Sequence, residues 1–380
     1  MTTVPTRDRH DRPRRPGVYD RVREPSWQRA AEWSPRERVP EGSGLRAEGR
    51  PWGRSWGRLG LLGLAALLAG TAVLNQRRAR AAERRHPPLG RMVEVAGTKL
   101  HVLERGNRLA PPVLLLHGNG SMVEDWLTSG VVERLSHDHR VIMLDRPGFG
   151  HSPRPRGTLW TARAQAAVIQ ALLAHLGVRR PVVVGHSWGT LVALSLALDH
   201  DLEMAGLVLV SGYYIPEARA DVPVASVPAV PGLGDALRLT ILPPVNRALT
   251  PPVLRKIFKP MPVPRDFLAG FPLELCVRPS QIRAMAEDTA FMTTDAARLS
   301  RRYGELRVPV TILAGEGDEL ITPARHAEPM ARAVGARLRL LPGLGHMAHH
   351  GDPDAVADAV REVALARAVG QAAAPALAAD

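Results

Sequence analysis

Cysteine occurs once in these 380 residues, at Cys276, which excludes an intrachain disulfide. No histidine accompanies it in a recognisable pattern, which argues against a catalytic thiol. Lysine is nearly as scarce, supplying three of the 50 basic residues. Aromatic residues make up 4% of the chain, and no motif interleaves them with the basic ones. The net charge of +13 is therefore a poor argument for nucleic-acid binding. No internal repeat is visible. Charge is missing altogether from Leu59 to Leu74, sixteen residues reading LGLLGLAALLAGTAVL.

The positive charge belongs to what flanks that run. Residues 1–58 hold fourteen Arg against eight Asp and Glu, or +6, and residues 76–85 hold five Arg against Glu83, or +4. Only +3 is left for the remainder. Residues 1–58 are rich in Arg, Pro and Gly and have no apolar period, so they are expected to be disordered. A spanning helix needs about 20 apolar residues, about 17 at the short end. Trp56, Gly57, Asn75 and snorkelling arginines extend the run, so residues 59–75 are expected to form a single-pass membrane anchor. The run begins too far from Met1 for an ordinary signal peptide. An interfacial helix and a signal peptide with a later start are the alternatives. Arginine on both sides leaves the orientation undecided and suits anionic lipid headgroups. Residues 76–90 read as a basic linker, and the Ala-rich tail 369–380 as frayed.

Between these ends, apolar runs alternate with helical stretches, the pattern of a parallel sheet covered on both faces. Val93 to Leu103 alternates about a glycine turn and reads as an opening β-hairpin. Pro112–Leu116, Val141–Leu144, Val182–Val184, Gly206–Gly212, Val308–Ala314 and Leu338–Pro342 read as further strands. Ala162–Leu176 reads as a helix stopped by Gly177. From 213 to 305 the pattern breaks into proline-rich pieces, with helices clearest at Leu233–Leu242 and Pro279–Met292. Such a length is too great for a structureless loop, so a helical cap is expected there. Core segments at 91–212 and 306–368 flank it. Leu237, Ile241, Leu254, Ile257, Phe258, Leu268, Phe271, Met285 and Phe291 suggest an apolar acyl pocket, although cap packing accounts for most of them.

The residues with chemistry sit at strand ends. Gly185-His186-Ser187-Trp188-Gly189 stands between an apolar strand and an uninterrupted helix, the context of a nucleophile elbow. The turn lifts the Ser187 hydroxyl clear of the sheet and aims a helix N-terminus at it. A serine needs an imidazole to take its proton and a carboxylate to orient that imidazole. Asp318 follows a strand in Gly315-Glu316-Gly317-Asp318, and His346 follows the last strand in Gly343-Leu344-Gly345-His346. Turn former, helix cap and surface loop residue are the bland readings of Asp318, Ser187 and His346. Their occurrence together in the order Ser, Asp, His outweighs those readings. Upstream, His117-Gly118-Asn119-Gly120 closes another strand. The backbone N–H groups of Asn119 and Trp188 are the expected oxyanion donors, and His117 is expected to pack its loop. Asp145 to Ser152 reads as a tight, ion-paired structural loop. His346, His349, His350, Asp352 and Asp354 could suggest a metal. The spacing is weak and the triad already uses His346, so neither metal nor cofactor is expected.

This set, His117-Gly118, the Asp145–Ser152 loop, Gly185–Gly189, Asp318 and His346, resembles the α/β-hydrolase superfamily over roughly residues 91–366. The resemblance implies a mostly parallel sheet of about eight strands, helices on both faces, and a helical lid. Haloalkane dehalogenases and epoxide hydrolases share the Trp after the nucleophile, and the dehalogenases often share His-Gly-Asn. Both use Asp where this chain has Ser187, which favours an acyl-enzyme over an alkyl-enzyme. Proline iminopeptidases share Ser-Trp-Gly but usually carry Gly where His186 stands. The expected activity is hydrolysis of an ester, thioester or lipid-like acyl bond by a membrane-tethered serine hydrolase acting on an apolar small molecule. A peptidase using Asp266, Glu274, Glu287 or Asp288 for a substrate ammonium, a perhydrolase-like enzyme, and a non-catalytic ligand-binding protein are the alternatives.

Overall fold

The computed structural model describes residues 52–200 and 202–373. Residues 1–51, which hold most of the stretch expected to be disordered, and 374–380 of the expected frayed tail lie outside the described residues. Eight strands form one sheet: β1 (Arg91–Val95), β2 (Thr98–Arg105), β3 (Pro112–Leu116), β4 (Arg140–Leu144), β5 (Val182–His186), β6 (Gly206–Val210), β7 (Val310–Gly315) and β8 (Arg337–Leu341). Their order is β1-β2-β4-β3-β5-β6-β7-β8. β1 and β2 form the antiparallel opening hairpin, β2 pairs antiparallel with β4, and every later pairing is parallel.

Side chains alternate across each strand, so a strand buried on both faces must be apolar at every position. In β3, Leu114 and Leu116 face one core while Val113 and Leu115 face the other. The first core includes Ile169 and Leu172 from the Ala162–His175 helix, and Leu191 and Leu194 from the helix after β5. The second is closed by Val356, Val360 and Val363 of the Pro353–Ala373 helix. Thr161 caps the Ala162–His175 helix by accepting from the Ala164 N–H, and Gly177 follows at φ 63°. Chain direction across the sheet reverses between β3 and β5. Open α/β sheets gather their functional loops at such a switch point, beyond the carboxyl ends of the strands.

The cap is inserted between β6 and β7. Its main helices are Leu233–Leu239, Leu242–Phe258 and Pro279–Ser300, with shorter ones at Asp221–Ser226, Arg265–Gly270 and Leu273–Cys276. The helix expected at Leu233–Leu242 ends at Leu239, and a new one begins at Leu242. Pro243 occupies the first turn of the new helix, where a missing N–H costs nothing. The helix continues through Pro251 and Pro252 to Phe258, farther than two internal prolines suggest.

The segments around the apolar run also differ from expectation. One helix covers Trp52–Arg85, so residues 52–58 are helical rather than disordered, and 76–85 continue the helix instead of forming a linker. RRARAAERR is made of strong helix formers, and arginines in the last turn suit the helix dipole. At the other end, the last helix runs to Ala373, past the boundary expected at 368. Arg58–Arg85 is long and apolar enough to cross a membrane by length and composition. Leu61, Leu62 and Leu67 on it are between 66% and 69% exposed.

Candidate active site

β5 delivers Ser187 at its carboxyl end, with φ 51° and its N–H bonded to the Val210 carbonyl at 2.9 Å. A non-glycine residue held in the left-handed region is strained, and here the strain turns the side chain out of the sheet. Glycine is required on both sides. A Cβ on Gly185 would stand 2.8 Å from the Gly189 carbonyl oxygen, and one on Gly189 would collide with the carbonyl oxygens of Leu116 and His117.

Three strand ends meet at the serine. The His346 Nε2 lies 3.0 Å from Ser187 Oγ, and His346 Nδ1 lies 2.9 Å from Asp318 Oδ2. The Asp318 Oδ1 accepts the N–H groups of Leu320 and Ile321, each at 2.9 Å. A carboxylate only accepts, so Nδ1 carries the imidazole proton and Nε2 presents a lone pair to the serine hydroxyl. That is the tautomer a general base needs.

The loop after β3 faces the same space. Asn119 Nδ2 donates to the Met285 carbonyl and to Thr289 Oγ1, both at 3.1 Å, which pins the loop to the Pro279–Ser300 helix. Among the described residues, neither the Asn119 nor the Trp188 backbone N–H has an acceptor. Both residues line a cavity of about 460 Å³ that also contains Ser187 and His346. Of the nine side chains suggested for an acyl pocket, Leu254, Ile257, Phe271 and Met285 line this cavity. The others do not. Phe258 is fully buried in the cap core, Leu268 is exposed, and Phe291 lines a separate hollow beside Trp160. Asp266, Glu274, Glu287 and Asp288 are also absent from the cavity wall. Glu274 pairs with Arg85, and Glu287 with Arg154 and Arg283.

His117 makes two backbone bonds. Its Nδ1 donates to the Gly118 carbonyl at 2.8 Å, and its Nε2 accepts the Arg146 N–H at 2.9 Å. Burial, reinforced by the Arg146 charge, pushes its pKa down to about 4. The folded state therefore binds this proton less readily than the unfolded chain, whose histidine titrates near 6.5. Stability from the neutral ring is fully present above pH 6.5 and is lost as pH falls toward 4. Urea unfolding of the full chain in detergent should show about 2 kcal/mol of this loss between pH 7 and pH 5. His117→Gln should shrink the drop by that amount, and an unchanged drop would contradict the assignment.

Two groups of buried polar residues beside Ser187 were only partly legible in the sequence. Arg146 is fully buried, and its guanidinium bonds Asp288 at 2.7 Å, Gln165 at 2.8 Å and the carbonyls of His117 and Gly118. It also lies 4.6 Å from the ring centres of Phe149 and Trp188. Trp188 Nε1 donates to the Asp288 carbonyl at 2.9 Å. One arginine thus ties the β3 loop, the elbow and the cap together. An Asp-Arg-Pro-Gly loop at a strand end was the available signal, but nothing marked Asp288 as its partner.

The second group is Asp125, His186, His349 and His350. His186 Nε2 donates to the His346 carbonyl at 3.1 Å and so helps hold the His346 backbone. Burial, with His349 and His346 adding to it, pushes the His186 pKa well below the usual histidine range. Burial alone would raise the Asp125 carboxyl. His349 and His350, at 3.3 and 2.8 Å, outweigh it and hold Asp125 well below the usual range. Asp125, His186 and His349 offer ligand-type atoms all within 4.8 Å of one another. The acidic residues weighed from sequence do not join them: Asp352 caps the Ala355 N–H, and Asp354 pairs with Arg134.

A family model described as "Alpha/beta hydrolase family" matches residues 113–359. An uncharacterized protein of Mycobacterium tuberculosis (strain ATCC 25618 / H37Rv) is 31% identical over 283 residues, covering 69% of this chain and 78% of that protein. Among solved structures, the enol-lactonase from Burkholderia xenovorans LB400 aligns with a TM-score of 0.60 at 22% identity, covering 72% of this chain and 99% of the other. A thermophilic esterase from Thermogutta terrifontis aligns with a TM-score of 0.57 at 24% identity, covering 72% and 97%. At such identities these two structures speak for the fold.

Proposed function

Because the chain belongs to the alpha/beta hydrolase family, we propose that it is a serine hydrolase that cleaves an ester-type acyl bond, held to a membrane by residues 59–75. The observation that carries this reading is the continuous line Asp318–His346–Ser187, with bonds of 2.9 and 3.0 Å, opening into a cavity with apolar walls.

The chemistry balances as an acyl transfer to serine and then to water. Ser187 Oγ bonds the acyl carbon while its proton passes to His346 Nε2. The carbonyl oxygen becomes an oxyanion held by the N–H groups of Asn119 and Trp188. Collapse expels the alcohol or thiol, which takes the proton from His346. Water then attacks the acyl-enzyme, its proton goes to His346, and release of the acid returns that proton to Ser187. Asp318 keeps the imidazole in the required tautomer throughout.

Leu254, Ile257 and Phe271 in the cavity wall support an apolar acyl group. The exposed apolar stretch of the first helix supports a membrane anchor. The peptidase alternative loses support, since none of its four cap carboxylates lines the cavity. Fluorophosphonate labelling of the full chain in detergent, with p-nitrophenyl esters of increasing length, tests the reading. Labelling that requires Ser187, and a rate that depends on chain length, are expected. A folded protein that takes no label and turns over no ester would instead be a ligand-binding member of the family.

A further inference from the structure

Exposed aliphatic surface is unevenly distributed. Of the large apolar side chains facing solvent among the described residues, eight lie on the first helix, eight on the cap and six on all the rest. Those on the cap include an ordered row. Ile241, Val245, Leu249 and Val253 recur every four residues from the start of the Leu242–Phe258 helix, each between 41% and 51% exposed. A step of four returns close to the same helix face, so the row forms one ridge about 18 Å long. Pro244, Ala248, Pro251 and Pro252 are exposed as well and broaden it. The helix carries Arg247, Arg255 and Lys256 and no acidic residue.

The ridge starts where the first helix is fastened to the cap. Asn75 is buried, and its Nδ2 donates to the carbonyls of Leu239 at 2.9 Å and Thr240 at 2.8 Å. Exposed Leu74 precedes it, and exposed Ile241 follows its acceptors. Farther along, Ala82 sits in a buried cluster with Leu254, Phe258 and Phe267. Glu83 pairs with Arg278 and Arg85 with Glu274. The last third of the helix is thus clamped to the cap, which fixes the direction in which the apolar stretch leaves it. At its other end the ridge reaches the catalytic cavity, because Leu249 and Val253 also line it.

We propose that this ridge lies in the headgroup–acyl boundary of the bilayer that receives residues 59–74, so that the cavity opens onto lipid and its substrate is a bilayer-resident amphiphilic ester. The proposal rests on the membrane-anchored reading above and gives it a second contact. Lipid is the occupant because the ridge continues from the apolar helix at the point where that helix meets the cap. The flanking charges agree: Arg77, Arg78 and Arg80 are exposed beside Asn75, and the ridge helix is basic. Both suit anionic headgroups. An acyl chain would pass Leu249 and Val253 without crossing water, its ester reaching Ser187.

The test uses the full chain in vesicles of phosphatidylcholine and phosphatidylglycerol carrying a doxyl-labelled lipid. An NBD fluorophore is attached through maleimide at Val245→Cys or, as reference, at Leu67→Cys. Both variants are made on a Cys276→Ser background, because the native thiol is only partly buried and lines the cavity. Quenching by about half or more at both positions supports the proposal. Quenching at residue 67 alone leaves the anchor standing and overturns the ridge; a ridge buried between copies or by another protein gives this result. Quenching at neither position removes the anchor and the proposal with it.

Activity gives an independent arm. Ile241 and Val245 do not line the cavity. The double variant Ile241→Asn, Val245→Asn should slow hydrolysis of vesicle-borne p-nitrophenyl palmitate about fivefold while leaving soluble p-nitrophenyl butyrate unchanged. Equal rates for variant and wild type on the palmitate would overturn the proposal.

Discussion

Replacing Ser187 with alanine should lower kcat for acyl esters by about 10⁶-fold, the loss seen when a triad nucleophile is removed. The expectation rests on position and on protonation. The Ser187 hydroxyl is aimed by a strained backbone at φ 51° and faces a His346 nitrogen at 3.0 Å whose proton is held on the far side by Asp318. Alanine removes the attacking atom and leaves the N–H groups of Asn119 and Trp188 in place, so a residual rate above that of water should persist. Because the three residues act as one device, Ser187→Ala with His346→Ala should be little worse than either alone. Asp318→Asn should cost about 10⁴-fold by favouring the wrong tautomer of His346. Burst kinetics with p-nitrophenyl acetate provide the readout. A burst retained in Ser187→Ala would place the nucleophile elsewhere.

Why these three residues could be read from sequence is a matter of locality. Ser187 and Asp318 follow β5 and β7, whose apolar runs are unmistakable, while His346 follows β8, an edge strand reading Arg-Leu-Arg-Leu-Leu, and is marked instead by the glycines just before it. β5, β6 and β7 are buried on both faces, so nearly every position in them must be apolar, and such runs survive in a single sequence. The elbow is local as well, with its two glycines forced by backbone contacts within the turn and with β3.

The cap was harder to read because its helices are short, interrupted by proline and partly exposed, so no clean period forms. Phe258 and Phe291 look like pocket residues by type. Whether an apolar side chain faces the cavity or the cap core depends on helix orientations that sequence does not carry. The same holds for the first helix. Charge density at Arg77–Arg85 suggested a linker, yet the helix continues because Ala82 finds a buried site and Glu83 finds Arg278. Those partners lie nearly two hundred residues away.

Asp288 is another such distant partner, and removing it should be among the most destabilising single changes in the fold. Asp288→Ala leaves Arg146, fully buried, without its counter-charge. Breaking one side of a buried pair costs about 3–5 kcal/mol, because the remaining charge is stranded in a low dielectric. Burial already pushes the Arg146 guanidinium below its ordinary pKa, with Asp288 opposing that shift. Gln165 and the carbonyls of His117 and Gly118 would remain as acceptors, but none carries charge. Arg154 keeps Glu287 and so suffers less. Urea unfolding of the full chain in detergent should show the loss as a lower midpoint at unchanged slope. Asp288→Asn should fall between wild type and alanine, since it keeps acceptor geometry without charge. The double change Arg146→Met, Asp288→Leu should recover most of the stability, as apolar replacements of buried pairs do. That double variant would still lack the Arg146 bonds to the His117 and Gly118 carbonyls and its contact with the Trp188 ring, although the Trp188 Nε1 bond to the backbone carbonyl of residue 288 would remain. Its kcat should therefore remain at least about tenfold below wild type, the deficit expected when catalytic donors are misplaced. Recovery of both stability and kcat would reduce the arginine to a packing element. Recovery of stability alone would identify it as a positioning residue for the oxyanion donors.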